Sequence, residues 1–302
     1  MFYEVRRLRL LREVATHKTI AAAAEACRLT PSAVSQQLSL LEREAGVPLL
    51  VRDGRRLALT EAALVLVDHT ERVLAQLERA RAEVAALSAS VRGTVRLSGF
   101  PSAAVALAAP AIATCRAAHP DLRVLLDQAE PAESLGALRR HAVDVALVYE
   151  YDLLPRIHDH GVELVELLRE PLLAALPPTA DAPGDGDPVE LVDLRAQPWI
   201  APHGDPALRT VLERACQSAG FEPRLDYTSD DYTVLMSLVE AGLGVSLLPR
   251  LVTEPLSSDV RLREVAGLRL TRTISVAVRA GGSGDPRVAA LTDALVDAAG
   301  RI

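Results

Sequence analysis

Residues 19–46 read TIAAAAEACRLTPSAVSQQLSLLEREAG, and the order of small, polar and branched side chains along this stretch decides the architecture of the N-terminal end. Thr19 is placed to cap a short helix over residues 20–27, whose alanines let another helix approach closely. Arg28 and Leu29 make the turn. Thr30 followed by Pro31 starts a second helix, because the hydroxyl accepts from free backbone N–H groups and proline at the first helical position gives up no hydrogen bond. Gly46 stops it. Val34, Leu38, Leu41 and Ala45 recur at spacings of four, three and four and share a buried face, which leaves Ser32, Ser35, Gln36, Ser39 and Arg43 on the opposite one.

Working outward, Leu8, Leu11 and Val14 form an apolar stripe on a preceding helix over residues 4–17. On the other side, residues 51–59 place two short apolar stretches around Asp53-Gly54, a hairpin signal, with Arg52, Arg55 and Arg56 at the tip. On its own, a polar helix face reads first as an ordinary solvated surface. Here, helix, tight turn, capped helix and basic hairpin together have the layout of a winged helix-turn-helix, with short hydrogen-bonding side chains aimed at a major groove and a wing aimed at phosphates. Charge agrees: residues 1–60 hold ten Lys and Arg against six acids, a head of +4 on a chain of net −7, leaving −11 for the remainder.

The segment Ala23-Ala24-Glu25, then Leu29-Thr30-Pro31-Ser32-Ala33-Val34-Ser35-Gln36-Gln37-Leu38, Leu41-Glu42 and Gly46-Val47-Pro48-Leu49-Leu50, with Arg52, Gly54 and Leu59-Thr60-Glu61-Ala62 beyond, resembles the LysR-type transcriptional regulator family. The resemblance implies that Ser32, Ser35 and Gln36 approach bases while Thr30, Ser39, Arg52 and Arg55 hold the DNA backbone; Arg43 and Arg56 join them from the basic face and the wing. The chain departs from the family's pattern at Pro31, where a polar Gln often stands, at Gln36, where an arginine often stands, and at Leu50, in place of a frequent aromatic. Target sequence therefore does not transfer.

From Thr60 no Gly or Pro interrupts the chain to Ser90, which predicts a helix of roughly 45 Å. Ala63, Leu66, Thr70, Val73, Leu77, Ala80, Val84 and Leu87 alternate at three- and four-residue spacing, a heptad seam for a second copy in which Leu66, Val73, Leu77, Val84 and Leu87 carry the contact. The other reading is a helix packed on its own C-terminal domain.

Past Arg92-Gly93 strands and helices alternate: strands at 94–99, 122–127, 144–149, 171–176, 198–201, 224–228, 244–248 and 271–279, helices at 103–118, 132–140, 206–218, 231–241 and 286–299. Two crossings, near 165–170 and 264–270, make two lobes, matching the family's effector domain, which resembles type 2 periplasmic binding proteins. The fold class is α/β: a winged helix-turn-helix over 1–60, a linker helix over 61–90 and an effector-binding domain over 93–302, with lobe I about 93–166 and 268–302 and lobe II about 167–267. Ligands in such folds sit beyond strand ends near helix N-termini. Four segments point there: residues 100–103, 149–150, 202–205 and 228–232. Positional resemblance selects Ser102, Ala103, Glu150, His203 and Thr228 to line the cleft, although helix capping alone would account for Ser102, Asp205 and Asp230. The acids Glu150, Asp205 and Asp230 lean towards a cationic or hydroxyl-bearing ligand.

At 49% hydrophobic and 24% charged residues the chain is globular rather than disordered. Cys27, Cys115 and Cys216 are far apart and odd in number, which suggests neither disulfides nor zinc. His158-Asp-His160 is explained by a polar loop as well as by a metal, and no nucleophile elbow or phosphate-binding glycine loop occurs, so neither catalysis nor a cofactor is expected. The expected partners are double-stranded promoter DNA, a second copy in a homodimer or tetramer, a small-molecule effector and RNA polymerase, in the cytoplasm and without a membrane. A transport-type solute-binding protein is the alternative, since the C-terminal two-thirds alone would serve it.

Overall fold

The computed structural model describes residues 3–53, 56–87, 90–156, 161–178, 187–203, 205–253 and 259–302, with backbone alone at 52, 53 and 56. Residues 158–160 and most of the 177–188 loop lie outside the described residues.

The head consists of α1 (Val5–His17), α2 (Ile20–Ala26), α3 (Pro31–Ala45) and a hairpin of β1 (Leu50–Asp53) and β2 (Arg56–Leu59), paired with Leu50 opposite Leu59. Thr19 and Thr30 accept from the N–H groups of Ala22 and Ala33 at 3.1 and 3.2 Å, caps worth about 1 kcal/mol each. Gly46 closes α3 at φ 72°, a left-handed conformation that a Cβ disfavours. Leu8, Leu11, Val14, Ala23, Ala24, Val34, Leu38 and Leu41 form the core. Glu42 reaches out of α3 and accepts from the N–H groups of both Leu49 and Leu50, at 2.9 and 3.1 Å, which fixes the wing to the helix.

Helix α4 (Glu61–Ala86) starts at Thr60, whose hydroxyl oxygen accepts from Ala63 N–H. It packs along α1, burying Ala63, Thr70 and Leu74, and meets the C-terminal domain near its far end, where Ala82 is buried.

That domain contains β3 (Gly93–Gly99), α5 (Pro101–Ala103) running through a π-helical turn at Ala104–Ala108 into α6 (Ala109–Ala118), β4 (Leu122–Gln128), α7 (Pro131–Arg139), β5 (Val145–Tyr151), β6 (Val162–Leu176), β7 (Pro198–Pro202), α8 (Pro206–Ser218), β8 (Arg224–Ser229), α9 (Tyr232–Glu240), β9 (Val245–Pro249), α10 (Arg250–Thr253), β10 (Arg261–Arg263), β11 (Thr271–Arg279) and α11 (Pro286–Ala299). The strand order is β4-β3-β5-β11-β6-β9-β7-β8, with β10 on β6. β3 is parallel to β4 and β5, and β7 to β8 and β9, whereas β11 and β6 run antiparallel to their neighbours.

Strand β6 differs from expectation. It is one strand of 15 residues rather than a crossing followed by a strand: Val162 to Pro171 pair with β11 in lobe I, and Leu172 to Ala175 pair with β9 in lobe II. The charges at Glu163, Glu166, Arg169 and Glu170 break the alternation that marks a strand. The continuous helix Pro101–Ala118 has the length and apolar composition to cross a membrane. Ala103, Leu107, Ala108, Ala111 and Cys115 on it are buried in the core of lobe I, against α11.

Candidate functional site

On α3 the structure separates the two faces as the spacing requires. Val34, Leu38 and Leu41 are fully buried, while Ser32, Gln36, Ser39 and Arg43 are exposed and Ser35 is half-buried. Thr30 is exposed too, but its oxygen is committed to the helix cap and lies 3.1 Å from Ser32 Oγ. Gln37, one residue past Gln36, is turned inward and accepts from Arg7 Nε at 3.1 Å. The α3 face can thus offer hydroxyl and amide groups to base edges, which discriminate base pairs in the major groove. Arg55, and the side chains of Arg52 and Arg56, lie outside the described residues.

A second site lies where the two lobes meet. At its floor Arg272, from β11, donates from Nε and Nη2 to Glu170 Oε1 at 2.8 and 2.6 Å, and these side chains are 1% and 5% exposed. Glu170 Oε2 accepts from Leu251 N–H of lobe II at 2.6 Å, and Arg272 Nη2 donates to Ser102 Oγ of lobe I at 3.1 Å. The guanidinium lies 5.2 and 5.5 Å from the ring centres of Phe100 and Tyr149, within cation–π range. Tyr149 donates to Glu130 Oε2 at 2.8 Å, and Tyr151 donates across the cleft to Asp205 Oδ2 at 2.9 Å. Asp205 Oδ1 also caps α8 through Leu208 N–H. Burial raises Glu130 above the usual carboxylate range, more than its bond from Tyr149 lowers it, and Asp205 and Asp230 add to the rise. Burial, with Asp205 adding to it, pushes the Tyr149 and Tyr151 hydroxyls well above the usual phenol range, and Glu130 adds to the rise at Tyr149.

Of the residues selected from sequence, Ser102 meets Arg272 here, whereas its neighbour Ala103 is fully buried in the core of lobe I. His203 is exposed on the adjoining loop, its N–H bonded to Ser229 O, and Thr228 is exposed on β8 opposite Ala201. Glu150 is not brought to the tyrosines: strand alternation puts it on the face of Val148, opposite Tyr149 and Tyr151. Arg272 and Glu170 escaped sequence reasoning, although charges embedded in the apolar runs 270–274 and 167–172 were a signal for both.

The profile of bacterial regulatory helix-turn-helix proteins of the lysR family matches residues 5–64, and that of the LysR substrate binding domain matches residues 88–300. The chain belongs to the LysR family. Among similar proteins, the transcriptional dual regulator GltC of Bacillus subtilis is 28% identical over 82% of this chain and 80% of its own length. The nitrogen assimilation regulatory protein nac of Klebsiella aerogenes is 26% identical over 98% and 95%. Among solved structures, HinK, a LysR family regulator from Pseudomonas aeruginosa, shares the fold across 100% of both chains with a TM-score of 0.61 at 21% identity. CbnR in complex with its target DNA aligns over 98% of this chain and 100% of its own, with a TM-score of 0.55 at 24% identity. This chain is therefore a LysR-type DNA-binding transcriptional regulator, and the solute-binding alternative, which has no place for the head, is set aside.

In this LysR-type regulator the linker seam needs a correction. Ala63 and Thr70 are buried within the chain and Leu66 is half-buried against the head's own core, because α4 lies along α1. Val73, Leu77, Val84 and Leu87 are 41, 48, 69 and 86% exposed. At about 100° per residue these four fall on one stripe with Ala80, a quarter-turn or more from the face that Leu74 and Ala82 bury. One face of the helix is thus covered by its own chain, and the other leaves an apolar stripe exposed.

The same helix is joined to lobe I. Arg279 donates from Nε to Glu78 at 3.1 Å while its other nitrogens bind Asp144 and the carbonyls of Leu138 and Val143. Gly281, at φ 80°, lies so close that an added Cβ would stand 2.2 Å from Ala75 O on α4. His141 lies 3.5 Å from Glu78, and burial followed by the charge of Arg279 lowers its pKa.

Proposed function

We propose that this regulator binds a two-fold promoter site as a homodimer, or a tetramer of two such dimers, and that a small molecule held between its lobes alters the spacing of the recognition helices. Ser32, Ser35 and Gln36 read bases; Thr30, Ser39, Arg43, Arg52, Arg55 and Arg56 hold phosphates. Val73, Leu77, Val84 and Leu87, with Leu66 at the margin, meet their symmetry mates. The effector sits by Ser102, Ala103, His203 and Thr228 and needs no further cofactor. The protein works in the cytoplasm, where its DNA-bound form contacts RNA polymerase, and it acts by binding rather than by catalysis.

The observation that carries this reading is the continuity of α4. Its N-terminal end is part of the head's core through Ala63, and its far half is tied to lobe I through Glu78–Arg279 and Gly281. A change in lobe I is thereby passed to the head as a tilt of one rigid helix, shifting an existing equilibrium between dimer arrangements. Footprinting on the DNA upstream of the coding region, with and without candidate small molecules, tests it. A ligand that changes transcription without altering footprint or bend contradicts it.

A further inference from the structure

Behind the interlobe cleft lies a second space. In the register of β11 on β6, Arg272 stands opposite Glu170 and Thr271 opposite Pro171, so strand alternation puts Arg169, Pro171 and Thr271 on the face turned away from the pair at the cleft floor. There a cavity of about 470 Å³ opens between β6, the segment 264–271 and the start of α10. The spaces beside α4 measure about 30 and 10 Å³, room for little more than a water, whereas 470 Å³ falls within the range of small-molecule sites. Backbone bonds fix the walls: Val189 N–H donates to Glu264 O, Ala266 N–H to Val189 O and Leu172 N–H to Leu270 O, each at 2.9 Å.

Three cations border this cavity: Arg169, Arg250 and Arg269. Of the two acids on its wall, Glu170 is committed to Arg272 and to Leu251 N–H, which leaves Glu264 against three guanidinium groups. Arg169 is held loosely, 3.6 Å from Glu166 with both side chains exposed. The Arg269 side chain is exposed and has no ion pair or hydrogen bond among the described residues. Like charges around one space repel, and an anion among them removes that cost. Part of the wall is apolar: Pro171, Val265 and Leu268 are half-buried, and the last two pack on the hydrophobic core with their inner sides and face the cavity with the rest. Guanidinium groups grip a carboxylate through paired N–H bonds, and an apolar wall beside them covers the carbon body attached to it.

We propose that this cavity is a binding site for an organic carboxylate, separate from the effector cleft, with the anionic end among Arg169, Arg250 and Arg269 and the apolar body against Pro171, Val265 and Leu268. Strand β6 and the segment 264–271 are the two passages of the chain between the lobes, so the ligand bridges both.

Isothermal titration of the full-length protein with three probes tests it: 4-phenylbutanoate, 4-phenylbutylammonium and inorganic phosphate. The carboxylate binds, the ammonium of the same shape does not, and phosphate, which has no apolar body, binds more weakly than the carboxylate. Arg269→Gln, at an exposed side chain whose loss breaks no bond within the described residues, weakens carboxylate binding about tenfold. Arg301→Gln, at the exposed end of the chain, leaves it unchanged. Unchanged affinity in Arg269→Gln overturns the placement, and a loss in His203→Ala would then put the carboxylate in the effector cleft instead. Equal binding of the ammonium, phosphate binding as tight as that of the carboxylate, or no carboxylate binding at millimolar concentration overturns the assignment of the ligand.

Discussion

Replacing Glu170 by alanine removes the buried partner of Arg272 and the acceptor for Leu251 N–H in one step. Arg272 is 1% exposed and cannot recover its hydration by rotating outward. Breaking a buried pair from one side costs about 3–5 kcal/mol, because the remaining charge is left uncompensated. With about 2–4 °C of midpoint per kcal/mol for a domain of this size, a loss of about 4 kcal/mol lowers the transition by about 8–16 °C. The chain has a single tryptophan, Trp199, which is fully buried in lobe II. Its fluorescence therefore follows the effector domain without interference from the head, which is necessary because a two-domain chain need not unfold in one step. The double replacement Glu170→Leu with Arg272→Met removes both charges, and stability returns to within about 1 kcal/mol of the parent if packing is preserved. A drop of less than about 3 °C for Glu170→Ala would refute the reasoning, since it would mean that water reaches the pair.

Three further outcomes follow from the same structure. Glu130 has a raised pKa in the folded state, so its ionisation opposes folding above that raised value and costs nothing below the ordinary carboxylate range. Glu130→Gln therefore raises the Trp199-reported midpoint at neutral pH, and the difference from the parent shrinks to nothing as the pH falls through that range; a constant difference across pH would contradict it. Leu77→Arg places a charge in the exposed stripe of α4, so sedimentation shows monomers and gel shifts show weaker operator binding, whereas retained dimers would reject the seam. Ser35→Ala and Gln36→Ala each cost about 1–3 kcal/mol of discrimination between operator and random DNA while leaving the salt slope unchanged; unaltered preference in both would remove these residues from base reading.

What was legible in the sequence was local. Thr19, Thr30 and Thr60 all cap the helices that their neighbours announce, and the four–three–four spacing of α3 sorted its two faces correctly. The alternation of strands and helices located most elements of the effector domain. The unread features depend on residues far apart in the chain. Arg272 and Glu170 are separated by 102 positions, and Tyr151 and Asp205 by 54, so no window of sequence contains either pair. The α4 seam gave way at Ala63 and Thr70 for a related reason: a heptad records that a face is apolar and is silent on whether α1 of the same chain or a second copy covers it. The three-residue strand β10, with arginines at 261 and 263, is too short and too charged to show a period.

On the proposed function, the exposed face of α3 reads a two-fold DNA site in the context of a dimer. Footprinting of the full-length protein on DNA immediately upstream of its coding region, titrated at two salt concentrations, tests it most directly. A protected site with two related halves about one helical turn or a multiple apart, surviving the higher salt, is the expected result. Uniform protection that vanishes at the higher salt would contradict it, because phosphate attraction alone would then explain all the binding.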